Sequence, residues 1–346
     1  MQYKNFGRGS GLRVSELALG GGMFGERWGY GADLASSLEM FNMYAEAGGN
    51  FLDTADTYQF GQSEEWLGRF LEGRRNDFVL ASKYTLGGPG KGVHTVGNSR
   101  QIMINSVEES LKRFKTDRID LYWVHMPDVV TSTDEIMRGL NDLVSAGKIN
   151  YIGFSDFPAW RVARAATIAE IRGWAPVIGL QIEYSLVERT PDRELVPMAE
   201  ALGLGMVGWS PLGGGLLTGK YRRGEEGRAT TFKRLIHTED EVTKVHTVDT
   251  VISIAEELGV TPGQVATAWI GTRGIIPILG PRTPEQLKEN LGTTFVRLNE
   301  KQITSLNVVS AVPLGFPHEM MTQESQVNRL SGGNPDAVVP PTLPVA

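Results

Sequence analysis

Short apolar runs alternate along this chain with longer stretches in which apolar positions return every three to four residues. Runs of the first kind lie at Leu17 to Leu19, Phe51 to Asp53, Val79 to Lys83, Ile119 to His125, Tyr151 to Ser155, Gly179 to Glu183, Gly205 to Ser210 and Ile276 to Gly280. Their length and flanks predict eight buried strands. The stretches between them predict helices at Asp33 to Ala47, Ser63 to Leu71, Asn98 to Phe114, Thr133 to Ser145, Pro158 to Ile171, Pro191 to Leu202, Glu241 to Leu258 and Thr283 to Leu291. Thr261 to Thr272, opened by Thr-Pro, reads as an extra helix before the last strand. Gly48, Gly147, Gly203 and Gly259 stand just past helix ends, where a left-handed residue is needed.

Strand and helix alternating in this way build βαβ units on a parallel sheet. No linker, charge run or low-complexity tract divides the chain, so the eight units predict one α/β domain, a (β/α)8 TIM barrel over residues 1–310. Two Gly-rich segments, Leu86 to Gly97 and Gly213 to Thr231, exceed simple βα turns and read as long active-site loops. From Ala311 the pattern fades, and Val338-Val339-Pro340-Pro341 predicts an extended tail, so residues 311–346 form an extension packed on the barrel or trailing from it.

Composition narrows the function classes. The 346 residues are 41% hydrophobic and 21% charged, ordinary values for a globular protein with a sizeable core. A net charge of -6 without a basic run leaves no electrostatic footprint for nucleic acid. The absence of cysteine removes disulfides, thiolate nucleophiles and cysteine metal sites together. The N-terminus lacks an apolar signal-like stretch and no run of 18 apolar residues occurs, so a cytoplasmic protein without membrane association is expected. His94, His237, His246 and His318 show no metal-ligand spacing, and no metal is expected.

Candidate chemistry emerges from position. Asp53, Lys83, His125, Ser155, Gln181 and Trp209 lie at or beside the ends of six successive strands, at intervals of 30, 42, 30, 26 and 28 residues. Alone, each has an ordinary explanation: a turn-forming aspartate, a strand-end lysine reaching for water, a core histidine. Their shared register does not, because a barrel brings all C-terminal strand ends to one rim. An ammonium near a tyrosine stabilises the phenolate, a carboxylate behind it keeps the lysine charged and aimed, and a neutral histidine orients a carbonyl oxygen. With Tyr58 just after Asp53, these groups suit carbonyl reduction, in which hydride reaches carbon and Tyr58 protonates oxygen.

Asp53 with Tyr58, Lys83 and His125 resembles the catalytic tetrad of the aldo-keto reductases. Phe51 to Tyr58, Gly153-Phe154-Ser155, Gln181 to Ser185, Trp209-Ser210-Pro211-Leu212 and Pro284 to Asn290 are similar to that family's motifs in that family's order, over about residues 3 to 310. In style the chain resembles the bacterial branch related to potassium-channel β subunits. The resemblance implies NADPH bound in an extended pose and a small-molecule aldehyde or ketone reduced reversibly to an alcohol, with a homo-oligomer allowed. It implies Trp209 against the nicotinamide and Ser155, Asp156 and Gln181 on its carboxamide, with Gly21 and Gly22 offering only backbone. Ser210, Pro211, Leu212 and Gly214, with Lys220 and Arg228 from the long loop, would line the pyrophosphate. Gly280, Arg282, Gln286, Glu289 and Asn290 would surround the adenosine, Arg282 suiting the 2′-phosphate because a guanidinium fork matches phosphate oxygens. Asp156 stands where many relatives carry Asn. Met23, Trp28, Tyr30, Tyr84 and the loop Leu86 to Gly97 would shape the substrate pocket.

Other motifs fail on context. Gly20 to Gly25 fits a dinucleotide fingerprint, but the chain keeps breaking until Asp33, where that fingerprint requires a helix. Gly214 to Tyr221 imitates a phosphate loop with tyrosine replacing the hydroxyl that magnesium needs. Two alternatives remain open: a redox-sensing NADP(H)-binding subunit with weak turnover, against which the intact tetrad speaks, and a barrel lyase or isomerase using Gly213 to Gly215 for phosphate.

Overall fold

Eight parallel strands close into a barrel in the computed structural model, which describes residues 1–88, 90–225 and 237–345. A two-stranded antiparallel hairpin (β1, Tyr3–Asn5; β2, Arg13–Ser15) precedes them. The barrel runs β3 (Ala18–Gly20), β4 (Phe51–Asp53), β5 (Val79–Tyr84), β6 (Ile119–Val124), β7 (Ile149–Ser155), β8 (Val177–Glu183), β9 (Gly205–Trp209) and β10 (Ile275–Leu279). Closure comes from β10 pairing with β3, Ile278 opposite Ala18 and Leu279 opposite Leu19.

The predicted helices form between the strands, with polar caps where the sequence offers them. Asp33 accepts from the Ser36 amide, Ser132 from the Glu135 amide, and Thr261 and Gln264 cap each other's backbone at the extra helix. Gly203 and Gly259 end their helices at φ of 70° and 65°, a backbone that side-chain-bearing residues avoid.

Two-residue alternation sorts each strand into an outer and an inner set. On β5, Leu80 and Tyr84 pack against the helices, while Val79 and Ala81 join Phe51, Leu121, Trp123 and Val207 inside the ring. Phe6, from the hairpin, plugs the floor of this inner core, its ring 5.7 Å from Phe51 and 6.2 Å from Trp123. Room for it exists because strand positions there are glycine: a Cβ at Gly179 or Gly205 would sit 2.6 Å from the Phe6 ring. Full burial of that ring contributes roughly 2–3 kcal/mol.

Two regions were not foreseen. The hairpin strands are three residues each and carry no period, and Glu300–Val309 is a helix with an Asn299/Gln302 capping box. Beyond it, short helices form at His318–Met321 and Glu324–Leu330; Arg193 Nε donates to the Pro313 carbonyl, and His318 lies 2.9 Å from Glu194. Among the described residues, no helix is long and apolar enough to cross a membrane.

Candidate active site

Above the Phe6 plug the same alternation continues with polar residues. Asp53 lies two positions beyond Phe51, Lys83 beyond Ala81, His125 beyond Trp123, Gln181 beyond Gly179 and Trp209 beyond Val207. All therefore stand inside the mouth of the barrel. Lys83 is fully buried, its ammonium 2.5 Å from Asp53 Oδ2 and 2.9 Å from the Thr54 carbonyl, both of which accept from it. Gln181 Nε2 donates to the other Asp53 oxygen at 2.9 Å. Burial works against the Lys83 ammonium, but Asp53 and the nearby Tyr58 outweigh it and hold its pKa above the ordinary lysine value, so it stays charged.

Tyr58 follows β4 on a short 3-10 turn (Tyr58–Gly61), and its hydroxyl lies 3.5 Å from Lys83 Nζ. Burial is the largest influence on the phenol, and it raises the pKa; Lys83 pulls it down by less. The sequence argument expected a lowered value, and the difference is physical: a half-buried phenol resists becoming an anion more than one paired ammonium helps it. His125 faces the Tyr58 ring edge-on at 5.9 Å. Burial and then the Lys83 charge push its pKa down to about 3, so the imidazole is neutral. Nδ1 is enclosed without a partner; a proton there would be a stranded donor, which favours the tautomer carrying hydrogen on Nε2.

Beside this group, Trp209 Nε1 donates to Asp156 Oδ1 at 3.0 Å and Ser155 Oγ to Asp156 Oδ2 at 3.1 Å. Asp156 holds a left-handed backbone (φ 55°), and burial pushes its carboxyl up to about 6. The aspartate thus fixes the indole in its plane, a role Asn at that position could share through its oxygen.

Further round the rim, Ser210, Gly213, Gly214 and Gly215 are all left-handed, at φ 57°, 57°, 67° and 95°. Ser210 Oγ accepts from the Gly214 amide, Pro211 is buried, and Leu212 turns inward onto the helix Pro262–Thr272. Lys220 has its pKa lowered first by burial and then by the charge of Arg282, so two cations bear on one space. A bound anion would relieve that repulsion, and a pyrophosphate or 2′-phosphate group fits the donor set. Arg282 lies 4.6 Å over the Tyr30 ring. The Gln286 side chain accepts from the Arg282 amide, Gly280 has open space around it, and Glu289 and Asn290 stand on the same helix, Pro284–Leu291. Gly21 and Gly22 already use their carbonyls, towards Ser63 and Gln59, and Gly22 packs flat against the Tyr58 ring. Arg228 lies outside the described residues.

The pocket assignment needs one correction. Tyr84 is fully buried on the outer face of β5, stacked on Tyr122 at 5.4 Å, because its neighbour Lys83 points inward. Trp28 does line the mouth, edge-on to Tyr58 at 5.9 Å, with Phe60 6.3 Å beyond. Behind Tyr58, Asp56 has one carboxyl oxygen enclosed without a partner; burial and then the charge of Glu64 push its pKa up to about 8. Glu64 itself is buried but satisfied by Ser82 Oγ at 2.5 Å and Arg113 Nε at 2.6 Å. Tertiary folding also brings His237, Glu183 and Glu188 within 4.8 Å of one another, a grouping no spacing announced; a 2.9 Å His237–Glu183 hydrogen bond and the Thr190 bonds to Glu188 account for it.

Comparison with known proteins agrees with this geometry. The model of the aldo/keto reductase family matches residues 16–311. The chain is 34% identical to the norsolorinic acid reductase of Aspergillus flavus, the alignment covering 93% of this chain and 85% of that protein. It is 32% identical to an aryl-alcohol dehydrogenase [NADP(+)] of Phanerodontia chrysosporium, covering 94% and 90%, and 36% identical to the oxidoreductase YrpG of Bacillus subtilis, covering 91% and 98%.

Proposed function

The chain belongs to the aldo/keto reductase family, and from that premise we propose that this oxidoreductase uses NADPH to reduce an aromatic aldehyde or ketone to its alcohol, reversibly. The observation that carries the reading is the 3.5 Å approach of the Tyr58 hydroxyl to a buried lysine that is itself paired with Asp53. The aromatic preference draws on the Trp28, Tyr58 and Phe60 rings at the mouth and on the substrates in the relatives' names.

Trp209, Ser155, Asp156 and Gln181 would hold the nicotinamide end, Ser210, Pro211, Leu212, Gly214 and Lys220 the pyrophosphate, and Gly280, Arg282, Gln286, Glu289 and Asn290 the adenosine end. When bound, the reduced nicotinamide supplies hydride to the carbonyl carbon. Tyr58 holds its proton firmly before reaction, because burial keeps the phenol neutral. As the carbonyl oxygen gains charge it takes that proton, and only then does the Lys83 ammonium meet the phenolate it can stabilise. Stabilisation confined to the transition state accelerates the step without tightening substrate binding. Asp53 and the Thr54 carbonyl aim Lys83, and neutral His125 donates from Nε2 to the substrate oxygen.

The test is NADPH oxidation, followed by absorbance, against aromatic and aliphatic aldehydes and ketones. Tyr58→Phe should lower kcat by roughly 10²–10⁴ while changing NADPH affinity less than about twofold, the usual share of a positioned acid. Retained kcat in that variant would remove Tyr58 from the mechanism.

A further inference from the structure

The residue after Tyr58 is unusual in both backbone and side chain. Gln59 has φ of 50° and Phe60 φ of 52°, left-handed values that glycine adopts freely and other residues adopt at a cost. Gln59 is nonetheless glutamine, and its side chain is completely buried. A strained conformation that persists with a long side chain directs attention to what that side chain does.

Both ends of its amide are engaged with one loop, residues 22–32. Oε1 accepts from the Trp28 amide at 2.8 Å, and Nε2 donates to the Tyr30 carbonyl at 2.9 Å and the Gly22 carbonyl at 3.3 Å. The loop is shaped to receive it. A Cβ at Gly25 would lie 2.6 Å from Gln59 Cβ, and one at Gly31 would lie 2.9 Å from Nε2, so neither position admits a side chain. Gln62 grips the loop's outer limb separately, accepting from the Glu26 and Arg27 amides.

The loop's two aromatic residues then point to opposite ends of the site. Trp28 stands against Tyr58, and Tyr30 lies under the Arg282 guanidinium. We propose that Gln59 is a specificity-determining positioning residue: its amide sets Trp28 as the wall for a flat aromatic carbonyl compound and Tyr30 as the rest from which Arg282 is aimed. The proposal rests on the reductase reading above for its substrate, though not for its hydrogen bonds. It predicts that one residue, which touches neither cofactor nor substrate, adjusts selectivity at both ends of the cleft.

Gln59→Gly removes the amide and suits the left-handed backbone, so the fold is not put at risk. It should raise KM for benzaldehyde about tenfold, the scale of losing one well-placed apolar wall, while KM for acetaldehyde moves less than about twofold and kcat for benzaldehyde less than about threefold. The preference for NADPH over NADH should narrow, and backbone hydrogen exchange over residues 22–32 should quicken. Gln59→Glu provides the second variant: protonated, it still donates to a loop carbonyl, and ionised it repels both carbonyls, so KM for benzaldehyde should rise with pH while the wild-type value does not. Equal KM changes for both aldehydes, a fall in kcat with KM intact, or unchanged exchange over 22–32 would overturn the proposal. A wild-type protein that turns over no carbonyl compound would refute the reductase reading alone, and the exchange and the ratio of NADPH to NADH affinity would then decide the role of Gln59.

Discussion

Replacing Lys83 with methionine isolates the ion pair at the bottom of the mouth. The lysine is fully buried, and its removal leaves the Asp53 carboxylate inside the barrel with one remaining protein donor, Gln181 Nε2 at 2.9 Å. Stranding a buried charge in this way costs about 3–5 kcal/mol. With roughly 2.1 cal/mol/K of unfolding entropy per residue over 346 residues, that loss lowers the unfolding midpoint by about 4–7 °C. Asp53→Asn should cost a comparable amount, since the ammonium keeps only the Thr54 carbonyl and the distant Tyr58 hydroxyl. In the double variant neither charge remains, and the two changes should fall short of additivity by about 2–3 kcal/mol. Calorimetry on all four proteins at neutral pH measures the cycle, with benzaldehyde turnover followed in parallel. All three variants should lose turnover, whereas stability should largely return in the double variant. Losses that simply add would refute the account of Lys83 and Asp53 as a mutually dependent buried pair.

Two further outcomes follow from other parts of the site. Arg282→Ala should weaken NADPH by about 10–100-fold, the worth of charge-assisted hydrogen bonds to a phosphate, and NADH by less than about threefold; equal losses in a fluorescence titration would detach Arg282 from the 2′-phosphate. Asp56 concerns stability. Its pKa is about 8 in the folded chain against about 3.9 unfolded, so the folded state keeps a proton that the unfolded state has released, and stability should fall as pH rises between those values. Asp56→Asn should abolish that part of the slope and gain roughly 2–3 kcal/mol at mildly alkaline pH, the full displacement being discounted by about half for partial access to water. Parallel stability curves for the two proteins across that range would show that Asp56 is not protonated in the folded state.

Much of this was legible along the chain, and the reason is periodicity. Eight apolar runs with polar residues at their ends suffice to place Asp53, Lys83, His125, Gln181 and Trp209 on one rim, because alternation in a strand leaves no freedom about which side chain points inward. The same rule, applied one residue further, excludes Tyr84 from the pocket. Features that depend on a single backbone angle or on distant partners have no such signature. Gln59 belongs to no repeating pattern, and only Gly25 and Gly31 hint at the close approach over it. The hairpin carrying Phe6 is too short to show a period, and its place under the barrel follows from glycines on β8 and β9. The acidity of Tyr58 was beyond reach for another reason: its sign depends on how burial balances against one ammonium, and residue types alone do not contain that balance.

The Phe6 stopper has a bearing on biosynthesis. The segment that leaves the ribosome first finds its seat only after Gly179 and Gly205 have emerged, and the ring of strands cannot close until Leu279 meets Leu19. A nascent or prematurely ended chain therefore carries an uncovered aromatic residue and an open sheet edge, and both invite aggregation. Assembly of the mouth is deferred to the end of translation, and half-made chains fall to quality control without passing through a partly competent form.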